Sequence, residues 1–212
     1  MRWWWLIGMA LAASVARGED ITQVLARSQT VQLERLSPAP VESERAQKVR
    51  DSFDKLVRTL GLEGAAELRV VRGEALAETL QGRVVIAHEA MGDWPEEGRL
   101  FVLAHELGHV ALAHWAQMGE MYQKWVPGRV TPEQTDAVAG RLGREASALA
   151  YQQEYEADAF ASRTLEGLGV SREAVLSVFM QLGSRQDTAT HPGTKRRLAS
   201  LRAAEIQLPV AP

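Results

Sequence analysis

The five residues His105-Glu106-Leu107-Gly108-His109 constrain this chain more than any other stretch. They follow the apolar run Leu100-Phe101-Val102-Leu103-Ala104. In a helix of 3.6 residues per turn, positions i and i+4 stack on one face, so both imidazoles can point at a single ion. Glu106 lies about 100° round from His105, so its carboxylate flanks the ion and is placed to take a proton from an attacking water. Two imidazoles do not complete a catalytic zinc centre, which takes another protein ligand and keeps a position open for water. A second element must therefore return against the same helix face. There is no cysteine in the 212 residues, so that ligand is not a thiolate and no disulfide supports the fold.

The best source of the third ligand is Tyr151-Gln152-Gln153-Glu154-Tyr155-Glu156-Ala157-Asp158-Ala159. Glu154 and Asp158 are i and i+4 on an expected helix and share a face. Glu154 can coordinate the ion, and Asp158 can accept a hydrogen bond from the far nitrogen of a ligand histidine, fixing its tautomer. Ala157, Ala159 and Ala161 are small enough to let this helix pack closely on the histidine helix. Glu156 points away and is the runner-up ligand. A histidine pair with glutamate favours one Zn²⁺ per chain.

The rest of the chain reads as mostly helical α+β with a small sheet. A helix is expected over Ile21–Leu36, broken by Ser37-Pro38-Ala39-Pro40, and a second over Ser43–Leu60, stopped by Gly61. Leu68–Val71 and Arg83–Ala87 read as short strands bounded by glycines. The histidine helix is expected from Pro95 to about Trp115, with Gly108 inside it allowing a strand or substrate to approach. Met118–Val130 reads as loop. Thr131-Pro132-Glu133-Gln134 opens a helix reaching about Leu168, with Gly140 and Gly143 as candidate breaks. Two more helices follow, Ser171–Leu182 and Lys195 to about Ile206, separated by a loop with His191-Pro192-Gly193.

Together, H-E-x-x-H, the E-x-x-x-D of Glu154 to Asp158, and the late H-P-x-T-x-x-R of His191, Pro192, Thr194 and Arg197 resemble the HtpX/BepA-like zinc metallopeptidase family, which includes the CAAX prenyl protease 1-like gluzincins. The resemblance covers about Ser43 to Leu201. It implies a zincin-like (gluzincin) domain: a few strands over an active-site helix, with the glutamate helix behind it. It also implies a metalloendopeptidase of the soluble bacterial branch, engaged in quality control of envelope proteins. The membrane helices of the multi-spanning branch have no counterpart in this sequence, nor does the helical-repeat partner domain of the periplasmic relatives. A partner that recruits substrate is therefore unidentified.

His191 can hydrogen-bond the oxyanion of the tetrahedral intermediate, or occupy the open metal position and hold the enzyme latent, or be a surface loop histidine. Arg197 can pair with Glu154 or Asp158 and pin that loop, or be a solvated arginine beside Lys195 and Arg196. His114, about 140° round a straight helix from His109, should not reach the same ion. His88 is an ordinary loop position or borders the cleft, and Trp94, Trp115 and Trp125 are packing residues.

Met1-Arg2, the apolar Trp3–Ala13 and the small residues to Gly18 read as a signal peptide cleaved before Glu19, since the apolar stretch is shorter than the ~18–20 residues that span a bilayer. The chain then divides into residues 1–18 as signal peptide, 19–40 as helix and linker, 41–206 as peptidase domain and 207–212 as tail. The expected location is periplasmic or secreted. An uncleaved segment would instead tether the chain at a membrane surface. The net charge of −3 offers nothing to nucleic acid. The expected partners are unfolded or extended polypeptides, and the expected reaction is hydrolysis of their peptide bonds with zinc and Glu106. The alternative is a latent zinc-bearing chaperone or binding module with suppressed proteolysis.

Overall fold

The computed structural model describes residues 18–72, 76–181 and 183–206. The expected signal peptide, apart from Gly18, and the expected tail lie outside the described residues. Helix α1 (Ile21–Arg35) starts at a capping box: the Asp20 carboxylate accepts from the Gln23 backbone and the Gln23 side chain accepts from Asp20 N–H. Strand β1 (Ser37–Pro38) follows, and then α2 (Glu44–Leu60), capped by Ser43 and closed by Gly61 at φ 65°, the left-handed conformation glycine adopts without strain. Strands β2 (Glu67–Arg72), β3 (Ala77–Leu80) and β4 (Val84–His88) and a short 3₁₀ turn lead to α3 (Glu96–Ala111). Helices α4 (His114–Trp125), α5 (Pro132–Gly167), α6 (Arg172–Gln181) and α7 (Thr194–Ile206) complete the mostly helical α+β architecture.

The sheet has the order β1-β2-β4-β3, with β2 and β4 parallel and the outer pairs antiparallel. Val70, Val85 and Ala87 face the main core beneath α2 and α3. Val71, Leu80, Val84 and Ile86 form the opposite face, which Leu33 and Leu36 of α1 and its C-terminal cap cover. Both faces of β4 are therefore buried, which accounts for its unbroken apolar run. Strand β4 is paired with β2 on one side and β3 on the other, so it offers no free edge. The edge beside the histidine helix is β3, whose four residues, Ala-Glu-Thr-Leu, carry little strand signal of their own. The cue to it was the tight Gln81-Gly82 turn, with both residues at positive φ, immediately before β4.

Two helix boundaries also differ from expectation. The histidine helix stops at Ala111, and Ala113 adopts φ 53°, ψ 37°, a left-handed conformation unusual for alanine. The chain then re-enters a helix, so most of the stretch read as loop from Met118 belongs to α4, and the loop proper begins at Val126. Helix α5 runs 36 residues without a break at Gly140 or Gly143.

Helix α3 is buried almost throughout from Gly98 to Gly108, and it crosses α5 at close range. A Cβ on Gly108 would lie 3.2 Å from the Ala157 Cα and 3.2–3.3 Å from Phe160. The missing side chain thus admits α5, not a strand or substrate. Phe101 of α3 meets Phe179 of α6 edge to face at 5.1 Å, and the Arg197 guanidinium of α7 lies over the Phe179 ring at 5.4 Å.

Candidate metal centre

The close crossing of α3 and α5 brings two imidazoles and one carboxylate together. His105 Nε2 and His109 Nε2 are 3.3 Å apart; Glu154 Oε2 is 3.6 Å from the first and Glu154 Oε1 3.4 Å from the second. Nitrogen and oxygen ligands about 2.0–2.1 Å from a tetrahedral zinc lie roughly 3.3–3.4 Å from one another. The observed separations match that cage. Glu154 Oε2 is also a buried oxygen with no hydrogen-bond partner, which protein interiors rarely tolerate and which a cation would satisfy. The donor set and the orphaned oxygen both fit a divalent ion bound by His105, His109 and Glu154.

Each ligand is backed from behind. Asp158, fully buried, accepts a hydrogen bond from His105 Nδ1 at 2.9 Å, which leaves the His105 Nε2 lone pair facing Glu154. Arg197 Nε donates to the other Asp158 oxygen at 2.7 Å, Arg197 Nη2 contacts the first, and Nη1 lies 3.9 Å from Glu154. Arg197 thus reaches both acids, bonding Asp158 directly. Burial alone would raise the Asp158 pKa, but the hydrogen bonds from Arg197 and His105 overcome it and hold the carboxyl below its ordinary value. With no ion bound and the imidazoles free to carry protons, burial likewise opposes ionisation of Glu154, yet the charge of His105, a hydrogen bond from His109 and the charge of Arg197 depress it to about 2.

His109 has a different neighbour. The kink at Ala113 swings His114 back over it, so that the two Nδ1 atoms are 2.9 Å apart. On a straight helix His114 would face elsewhere, and the left-handed alanine left no mark in the sequence. His114 Nε2 in turn lies 3.2 Å from Glu156 Oε2. Burial first, then His109, lowers the His114 pKa to about 4. Glu156, the runner-up ligand, is outside the cluster and faces His114.

Glu106 flanks the cage and is largely buried. Thr79 of β3 donates to its carboxylate, Oγ1 to Oε2 2.7 Å, and lies 3.0 Å from its carbonyl oxygen. Nothing in the sequence pointed to Thr79, because the contact depends on β3 pairing with β4. His191 sits on the loop before α7 with its side chain 64% exposed and its Nε2 3.7 Å from Glu154 Oε1. Thr188 and Thr190 contact His191, and Tyr151 of α5 donates to the Thr188 carbonyl at 2.6 Å, which holds the loop over the cleft. The cleft, about 1030 Å³, is lined by β3, the histidine cluster, Trp115 and this loop. Glu78 also lines it; burial raises its pKa against a hydrogen bond from Gln32 of α1.

The family model described as Peptidase family M48 matches residues 21–130 and 133–205. No curated protein sequence matches this one. Among solved structures, the chain is similar to the crystal structure of S. mikatae Ste24p, at 14% identity over 85% of this chain and 55% of that one, with a TM-score of 0.46. This chain therefore spans a little over half the length of that protein.

Proposed function

The chain belongs to peptidase family M48, and from that premise we propose that it is a zinc metalloendopeptidase cutting extended segments of unfolded or misassembled envelope proteins. The observation that carries the site assignment is the buried, unpartnered oxygen of Glu154 facing the His105 and His109 Nε2 atoms. These three residues hold the metal. When bound, Zn²⁺ acidifies water and polarises the scissile carbonyl.

The chain's own groups do the rest. Glu106 takes a proton from the attacking water and passes it to the leaving amine. Thr79 holds the Glu106 carboxylate in one orientation through its hydroxyl. His191, at the cleft mouth beside Glu154, donates to the developing oxyanion. Strand β3 pairs on one side with β4 and lines the cleft along its length. An extended peptide adding to its open side gains main-chain hydrogen bonds that depend little on side chain. That recognition suits flexible substrates and leaves folded proteins intact.

Export to the envelope is supported by the basic start and apolar run of residues 1–18. Among the described residues, no helix is long and apolar enough to cross a membrane. Purified protein should cleave casein and denatured outer-membrane protein. Glu106→Gln should cut the rate by about 10³-fold while keeping its zinc, the range expected for loss of a general base. Cleavage that survives the substitution sinks the assignment of Glu106. Zinc-loaded protein that cleaves nothing but slows client aggregation supports the latent chaperone reading, for which the nearness of His191 to Glu154 is the favouring observation.

A further inference from the structure

His114 is one of few buried polar side chains that the chemistry above does not use; it is 3% exposed. Its ring stands edge-on to that of His109, centroids 4.9 Å apart at 77°. A neutral imidazole carries one N–H donor and one acceptor nitrogen. His109 turns Nε2 toward His105 and Glu154, so as a ligand it keeps that lone pair for the ion and bears its proton on Nδ1. The His109 Nδ1 proton then points at His114 Nδ1, 2.9 Å away. With Nδ1 accepting, His114 holds its own proton on Nε2, where the Glu156 carboxylate lies at 3.2 Å. Shifting the proton on either ring sets lone pair against lone pair or N–H against N–H. Only one order of protons satisfies every nitrogen.

We propose that His114 and Glu156 are a positioning pair for His109, fixing its tautomer and ring orientation so that Nε2 is presented to the metal; the assignment rests on the reading of His105, His109 and Glu154 as ligands. The surrounding backbone holds the pair in place. Ala113 adopts its left-handed conformation at the residue that turns His114 toward His109. The buried Gln153 donates to the His114 carbonyl at 3.1 Å, fastening the start of α4 to α5. Gln152 donates to Glu156 Oε1 at 2.8 Å, which leaves Oε2 for His114.

The test is zinc affinity by competition with a chromophoric chelator, read beside the melting temperature of the zinc-free protein and the nitrogen NMR shifts of the His109 ring. His114→Ala should weaken zinc binding by about tenfold or more, the usual cost of losing a partner behind a metal ligand. Its His109 ring should populate both tautomers while the zinc-free melting temperature barely moves. His114→Asn, whose amide oxygen can accept from His109, should recover most of the affinity. Glu156→Ala should weaken binding by a smaller factor. Unchanged affinity and an unchanged His109 tautomer in these variants overturn the proposal. So does a loss of affinity that follows the melting temperature and is not recovered by asparagine. If His114→Ala does not fold, Glu156→Ala and His114→Asn decide by the same two readouts. A parent protein that binds no zinc removes the ligand reading and this pair's role together, whereas a zinc-binding parent with indifferent variants overturns the pair alone.

Discussion

His105 and His109 stand one turn apart on the same helix, yet the protein supports them by opposite means. Behind His105 is a fully buried carboxylate, Asp158, clamped by Arg197, which is itself laid over the Phe179 ring. Behind His109 is a neutral imidazole and then Glu156, whose side chain is 40% exposed. The first device puts a carboxylate into the buried interior, where an ion pair depends on every partner being present. The second passes the same demand outward to the solvent through a ring that needs no charge. One centre therefore has a stiff side, whose loss should endanger the fold, and a soft side, whose loss should be felt mainly in ligand orientation.

The largest effect should come from breaking the stiff side. Asp158→Ala leaves the Arg197 guanidinium largely buried without its partner and should destabilise the zinc-free protein by roughly 3–5 kcal/mol. Glu156→Ala, measured in the same chemical denaturation series, should cost well under 1 kcal/mol, in keeping with exposed pairs. Equal costs would erase the distinction between the two sides.

Acid should expose the same asymmetry less severely. Folding holds the Asp158 pKa below its ordinary 3.8, so just beneath that value the unfolded chain binds more protons than the folded one. The stability from this group is therefore present above the ordinary pKa and is lost as pH falls through the depressed one. Metal-free protein should lose stability in acid more steeply than Asp158→Asn does; matching slopes would argue that the clamp is not what acid attacks.

A smaller effect belongs to neither side. Thr79→Val removes the hydroxyl from Glu106 and should lower kcat by about tenfold with zinc content unchanged, whereas Thr79→Ser should be close to the parent. A loss of zinc in Thr79→Val would show that β3 supports the cage and not the base. The smallest effect is expected at the bend. Ala113→Gly relieves about 1–2 kcal/mol of left-handed strain and adds about 0.5–1 kcal/mol of chain entropy to be lost on folding. The net gain in stability by thermal denaturation should not exceed about 1.5 kcal/mol, the difference of these estimates, with zinc affinity preserved. A destabilised variant would mean that Ala113 is held there by contacts and not by strain.

The juxtaposition of His105, His109, Glu154 and Asp158 was legible because helical spacing fixes which side chains share a face, and the small residues on α5 announced a close crossing. The main helices and two strands were legible from periodicity and from the Ser43, Gly61 and Thr131 boundary signals. What escaped the sequence depends on contacts between distant segments or on a single backbone angle. Strand β3 owes its existence to β4 beside it and brings Thr79 to Glu106. The α3–α4 bend hinges on an alanine, so no glycine or proline marks it, and both the course of α4 and the place of His114 were hidden with it.

Gly108 contributes no atom to the cage and still governs its bore. The two imidazoles ride on one helix and the carboxylate on the other, so the gap between helix axes is the gap between ligands. A methyl group at this position, already 3.2 Å from the opposing backbone, would wedge the helices apart by a few tenths of an ångström. Zinc wants its oxygens at about 2.0–2.2 Å. A shim of that thickness would carry the Glu154 oxygen beyond that reach, so how tightly the ion is gripped is exposed to change at a residue that never touches it.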